Sequence, residues 1–209
     1  MSTLTVIRDA VEAQLKDSTN TIWTTAELDE HIRRAIREIN RVKPQTKSTT
    51  ITSVNDQYEY SLSSITGLLR IVDIWFPYDS ASPDYPPTRP KWSLLADNIL
   101  LLDASCSPDG TDKIRVIYWA RHTLNGLDAE TTTTLDAEQQ QLIILAAAAF
   151  AVEQRAHDAV DQVHLSGYTP LQLANWARTA LRNYERELTQ YAQRLIASEA
   201  GTAAIEGTV

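Results

Sequence analysis

Apolar residues recur at spacings of three and four at the start of the chain, at Leu4, Ile7, Val11 and Leu15. That spacing puts them on one face of a helix and predicts a short amphipathic one. A polar turn follows from Asp17 to Thr21. Thr24-Thr25-Ala26-Glu27 then fits a capping box, in which the Thr24 hydroxyl accepts from the Glu27 amide and the Glu27 carboxylate accepts from the Thr24 amide. Trp23, just outside that cap, can staple onto Leu28. Leu28, Ile32, Ile36, Ile39 and Val42 make one apolar stripe beyond it, and Pro44 stops the second helix.

The period then falls to two. Ser48 to Val54 is rich in Thr and Ile, Asn55-Asp56 can turn, and Tyr58 to Leu62 alternates, so a β-hairpin is expected. Leu68 to Phe76 reads as a further strand. Five prolines between Pro77 and Pro90 break regular structure across a loop at 77–91. Lys91 to Leu95 and Ile99 to Asp103 flank Ala96-Asp97-Asn98 as a second hairpin, and Ile114 to Arg121 is the last strand. Helical spacing returns at Asp136, which can cap a helix with Gln139 at its third position. Its body, Leu142 to Val152, is apolar on nearly every face, the mark of a buried helix. Thr169-Pro170 opens the last helix, with Thr at the cap and Pro at the first turn. Leu173, Ala177, Ala180, Tyr184, Leu188, Tyr191 and Leu195 form its packing seam, with Arg178, Arg182 and Arg186 on the opposite face.

The order helix–helix–sheet–helix–helix defines an α+β chain. The expectation is a four-helix bundle with a small antiparallel β-sheet or barrel inserted between the second and third helices. The bundle would take 1–47 and 122–198, the insertion 48–121, and a loose tail 199–209.

The 209 residues suffice for one such domain, and 43% hydrophobic with 22% charged residues is an ordinary soluble composition. A net charge of −8 argues against a general nucleic-acid binder, which needs basic surface to displace counterions. The single cysteine, Cys106, precludes an internal disulfide. No signal peptide is visible, and the longest apolar run, Leu142 to Val152, falls short of the about 20 residues a bilayer needs. A cytosol-like compartment is therefore expected.

Catalytic motifs are absent. No Gly-x-Ser-x-Gly, no phosphate-cradling glycine loop and no His-Glu-x-x-His occurs. On a continuous helix His157, Asp161 and His164 would share a face, so a divalent metal is one reading and a polar helix end the other; the latter is preferred. His31 and His122 stand alone, Cys106 lacks a local basic partner, and Asp128 and Glu130 lie in a Thr-rich segment that reads as a solvated loop. The expectation is a non-enzymatic chain with no cofactor and no metal.

Charge placement is more informative. His31 to Lys47 holds Arg33, Arg34, Arg37, Arg41, Lys43 and Lys47 against the one acid Glu38. His122 to Gly167 holds seven acids and one base, Arg155. Faces of opposite sign could meet head to tail in a ring; helix-end electrostatics is the alternative source of the basic cluster, and a direct DNA contact is a third. The Pro-rich loop carries Tyr78 and Tyr85, with Trp92 just beyond it, and aromatics of this kind anchor interfaces. Candidate interaction residues are thus Arg33, Arg34, Arg37, Arg41, Arg178, Arg182, Arg186, Tyr78, Tyr85 and Trp92.

Thr21 to Pro44, TIWTTAELDEHIRRAIREINRVKP, resembles the start of the head–tail adaptor proteins of tailed bacteriophages. The segment LLRIVDIWFPYD and the two-helix ending from Asp136 are similar to them as well. The layout is like that of tail tubular A proteins and head-completion adaptors. The resemblance implies a structural virion protein at the head–tail neck, made in the host cytoplasm. It further implies a homo-oligomeric ring, twelve-fold, between the portal protein and a tail or nozzle protein, with passive contact to passing double-stranded DNA and a role in genome ejection. The segment from about Leu195 to Val209 would dock on the portal, and the acidic balance suits a DNA conduit. A cellular scaffolding or regulatory interaction module is the alternative.

Overall fold

The computed structural model of the chain describes residues 2–19, 21–158 and 170–206. Among these, four α-helices and two three-stranded antiparallel sheets make an α+β fold. The chain divides into two compact units, residues 44–121 and the remainder.

The helical unit begins with α1 (Leu4–Leu15), whose four apolar positions are all buried. α2 (Thr25–Val42) opens on the capping box expected at Thr24 and Glu27, and buries Leu28, Ile32, Ile36 and Ile39. The turn between them is held by Asp17. Its carboxylate accepts from the Thr21 hydroxyl at 2.7 Å and from the amides of Thr21, Ile22 and Trp23 at 2.9–3.0 Å. Burial alone would raise its pKa; the amide of Trp23, the Thr21 hydroxyl and the other two amides outweigh it and hold the group below the usual carboxylate range. Arg8 adds a two-pronged ion pair to Asp29, fastening α1 to α2.

α3 (Ala137–Asp158) is the hub on which α1, α2 and α4 (Pro170–Glu206) all pack. Ala146 to Ala149 and Ala151 are buried, so three neighbours can approach a helix with hardly any side chain. Asp136 and Gln139 cap it reciprocally, each side chain accepting from the other's amide at 2.8–2.9 Å. Trp23 reaches α3 as well, its Nε1 donating to the Ala151 carbonyl at 3.1 Å. On α4 the seam buries Ala177, Tyr184 and Tyr191, with Leu188 and Leu195 partly buried against the same core. Thr169, the expected cap, lies outside the described residues. α4 is helical through Glu206, past the point where the sequence reads as a loose tail.

The Thr-rich segment keeps Asp128 and Glu130 exposed, as expected of a solvated loop, but is packed on either side of them. Leu124, Leu127 and Leu135 are buried, Thr133 Oγ1 donates to the Ser2 carbonyl, and the Leu4 amide donates to the Asn125 carbonyl. Gly126 sits at φ 90°, where a Cβ would stand 3.4 Å from that of Leu4, so a side chain there meets strain and crowding together.

In the β unit, β1 (Gln45–Thr52), β6 (Lys113–Ala120) and β3 (Leu68–Tyr78) form one sheet in the order β1-β6-β3. β2 (Glu59–Ser61), β5 (Ile99–Leu102) and β4 (Trp92–Leu95) form the other, in the order β2-β5-β4. The hairpin expected at β4 and β5 forms, joined through a 3-10 turn at Ala96–Asn98. The one expected from Ser48 to Leu62 does not. β1 pairs along its full length with β6, and β2 with β5, because the segment 53–58 carries the chain from one sheet to the other. Ile71, Ile74, Phe76, Ile114, Val116 and Tyr118 of the first sheet and Tyr60, Leu100 and Leu102 of the second share a core. Pro77 is tolerated in β3 because that strand is an edge, where a missing N–H breaks no ladder.

Candidate interaction surfaces

The basic face of α2 is largely neutralised within the chain. Arg33 bonds Asp128 at 2.7 Å and also pairs with Glu30. Arg34 pairs with Glu153 at 3.2 Å while its guanidinium lies 3.9 Å from the centre of the Phe150 ring. Arg41 pairs with Glu38 at 2.8 Å. Arg37 is exposed and has no ion pair among the described residues. Two of the acids counted for the opposing face, Asp128 and Glu153, are therefore spent on the same copy's arginines. Separations of 95 and 119 residues hide such pairs from a sequence.

On α4, Arg178, Arg182 and Arg186 are exposed, opposite the seam. Arg186 meets Glu187 at 3.3 Å. Arg178 and Arg182 have no ion pair among the described residues.

The aromatic residues do not gather as one loop. Trp92 is in β4, half-buried against the β core and paired with Leu102. Tyr78 and Tyr85 instead flank Trp75 on the outer face of the β1-β6-β3 sheet, with ring centres 6.2 and 6.4 Å from it. Arg115, beside Trp75 in register on β6, stacks 5.0 Å from the Trp75 ring and 4.9 Å from Tyr78, and donates to the Tyr78 hydroxyl at 2.7 Å. Further along the same face, Arg70 stacks on Trp119 at 5.7 Å. Asp73 accepts from Trp75 Nε1 and pairs with Arg89 of the loop, both at 2.8 Å. Trp75, Arg115, Arg70 and Trp119 were not singled out in the sequence. The signal was the alternation itself: Arg115 and Trp119 occupy the positions between buried Ile114, Val116, Tyr118 and Ala120.

Groups with chemical potential are built for structure. His122 is buried; Nε2 donates to the Lys43 carbonyl at 3.0 Å, Nδ1 meets the Thr134 hydroxyl at 3.2 Å, and its amide donates to Asn40. Burial lowers its pKa and favours the neutral ring. His31 is buried on α2, with its pKa lowered by burial and then by the Arg34 charge. Burial and the Asp103 charge push the Cys106 thiol up, away from the reactive thiolate. His157 and Asp158 end α3, while Asp161 and His164 lie outside the described residues. A groove between α1, α3 and α4, lined by Gln14, Leu145 and Glu187, also holds the Glu138–Arg194 pair. No helix among the described residues is long and apolar enough to cross a membrane.

What the described residues offer is open surface rich in arginine and aromatic side chains. The sequence profile of the SU10 adaptor protein family matches residues 1–206, and the chain belongs to that family. It is thus a structural virion protein, a phage head–tail adaptor, as the resemblance at Thr21 to Pro44 implied. No curated protein matches the chain. Among solved structures it is similar to a chain of the neck of a native GTA particle computed with C12 symmetry. The identity is 16%, over 81% of this chain and 89% of that one, with a TM-score of 0.30, a superposition too loose to bear a structural conclusion.

Proposed function

We propose that the protein assembles as a twelve-fold ring between the portal and the tail and forms part of the DNA conduit. Membership of an adaptor family across residues 1–206 carries this reading. It also weighs against the cellular scaffolding module. The neck of the particle is then its place in the virion, and a tail or nozzle protein its second partner. Two features of the helical unit agree with portal docking. Gln139 bonds Tyr191 and Glu138 pairs with Arg194, so the start of α3 is level with that stretch of α4. Residues 196–206 of α4 therefore run on past α3 for about 16 Å. Arg37, Arg178 and Arg182 offer guanidiniums that no carboxylate among the described residues neutralises. The net charge of −8 suits a lumen that DNA must not adhere to.

Electron microscopy of the purified protein, alone and mixed with its cognate portal, tests the reading. Rings stacked coaxially on the portal are expected, and a chain lacking residues 198–209 should stay off it. A bare portal beside a monomeric full-length protein would sink the adaptor ring.

A further inference from the structure

The outer face of the β1-β6-β3 sheet has the composition of an interface centre, Trp, Tyr and Arg, and it is left open. Tyr85 is 73% exposed and Trp119 36%. Arg89 satisfies Asp73. Arg70 lies over Trp119, and Arg115 lies over Trp75 and donates to the Tyr78 and Ser48 hydroxyls; neither has an ion pair among the described residues. Two guanidiniums set over aromatic rings, in fixed register across two strands, form a preorganised receptor for carboxylates.

The complementary charge lies in the same unit. The turns at 53–57 and 108–112 are laced together, with the Ser53 amide donating to the Asp112 carbonyl at 2.8 Å and the Asp56 amide to the Pro108 carbonyl at 3.1 Å. This tip carries Val54, 51% exposed, together with the exposed carboxylates of Asp56 and Asp109. Asp109 accepts from the Thr111 hydroxyl, then from the Thr111 and Asp112 amides, which hold its pKa down to about 2. It is a fixed negative charge beside an apolar knob.

We propose that this sheet face receives the acidic tip of a second copy of the chain, making the β unit a subunit–subunit contact of the ring. Face and tip are different surfaces, so the contact is heterologous and propagates head to tail until the ring closes. The inference rests on the ring reading above. It moves charge complementarity from α2, where Arg33, Arg34 and Arg41 are already paired in-chain, to the β unit, where Arg70 and Arg115 have no ion pair among the described residues.

Ring yield on the portal, counted by electron microscopy, tests it. R115E and the pair D56R/D109R should each cut the yield at least tenfold, and combining the three substitutions should restore it. Y85A, at a residue too exposed to matter for folding, should reduce the yield while leaving the melting temperature unchanged. If Y85A and R115E assemble like the parent chain, the face is not an interface, although the ring itself stands. If each charge change abolishes rings and the combination does not restore them, the tip is not the occupant. Failure of the parent chain to form rings would remove the ring reading and this contact together.

Discussion

His31 and His122 show how single residues set the response of this protein to acid. Burial lowers the pKa of both below the ordinary 6.5. Below about pH 6.5 the unfolded chain therefore binds protons that the folded chain refuses, so stability must fall as pH drops. The loss levels off once the folded imidazoles protonate too. Urea midpoints should be flat from about pH 7.5 to 8 and decline between about pH 6.5 and 5. His31 adds an orphan: its Nε2 is buried without a hydrogen-bond partner. H31L should leave stability at pH 7.5 within about 1 kcal/mol of the parent and make the acid decline shallower; an unchanged slope would remove His31 from the account. At this scale the sequence was legible where an interaction is local. Thr24 with Glu27, Asp136 with Gln139 and Pro170 announced their roles because both partners lie within one turn. His122 did not, because its partners Asn40 and Lys43 come from the far side of the β insertion.

At the scale of elements, α3 decides the packing of the helical unit. Ala147 and Ala151 are fully buried with three helices against the same core. A147L should cost about 1–3 kcal/mol through overpacking, seen as a lowered denaturant midpoint with an unchanged slope. α4 has the opposite character on its outward face. Replacing Arg178, Arg182 and Arg186 together with Ala should leave the melting temperature nearly unchanged, since exposed charges contribute little to folding, while lowering ring yield on the portal. Marked unfolding would instead make these arginines part of the fold. Element existence followed from the periods, three to four in the helices and two in the strands. Strand partnership did not. Ser48 to Val54 and Tyr58 to Leu62 alternate correctly for a hairpin, yet alternation fixes which side chains face the core and is silent on which strand lies alongside. β3 obscured its outer face for a related reason: three register shifts interrupt its alternation, so the strand gives no regular outward set of positions.

For the whole molecule, the two units have separate cores, and all strand pairing falls within 44–121. Gln45 pairs with Ala120, so the ends of the β unit are adjacent. Residues 44–121 produced alone should fold cooperatively and give a dispersed amide NMR spectrum; a collapsed spectrum would tie the β core to the helices. The order of the units along the chain also has a consequence during synthesis. Trp23 must wait for Ala151, 128 residues later, which at ribosomal speeds of about 5–20 residues per second is roughly 6–25 s. For that interval α2 holds out Leu28, Ile32, Ile36 and Ile39 with no α3 to cover them, whereas every strand of the β unit is translated before it ends. A nascent chain halted before α3 emerges would carry a completed β unit on an unfinished helical one, and its sticky segment would be the amino-terminal stripe, the part made first and closed last.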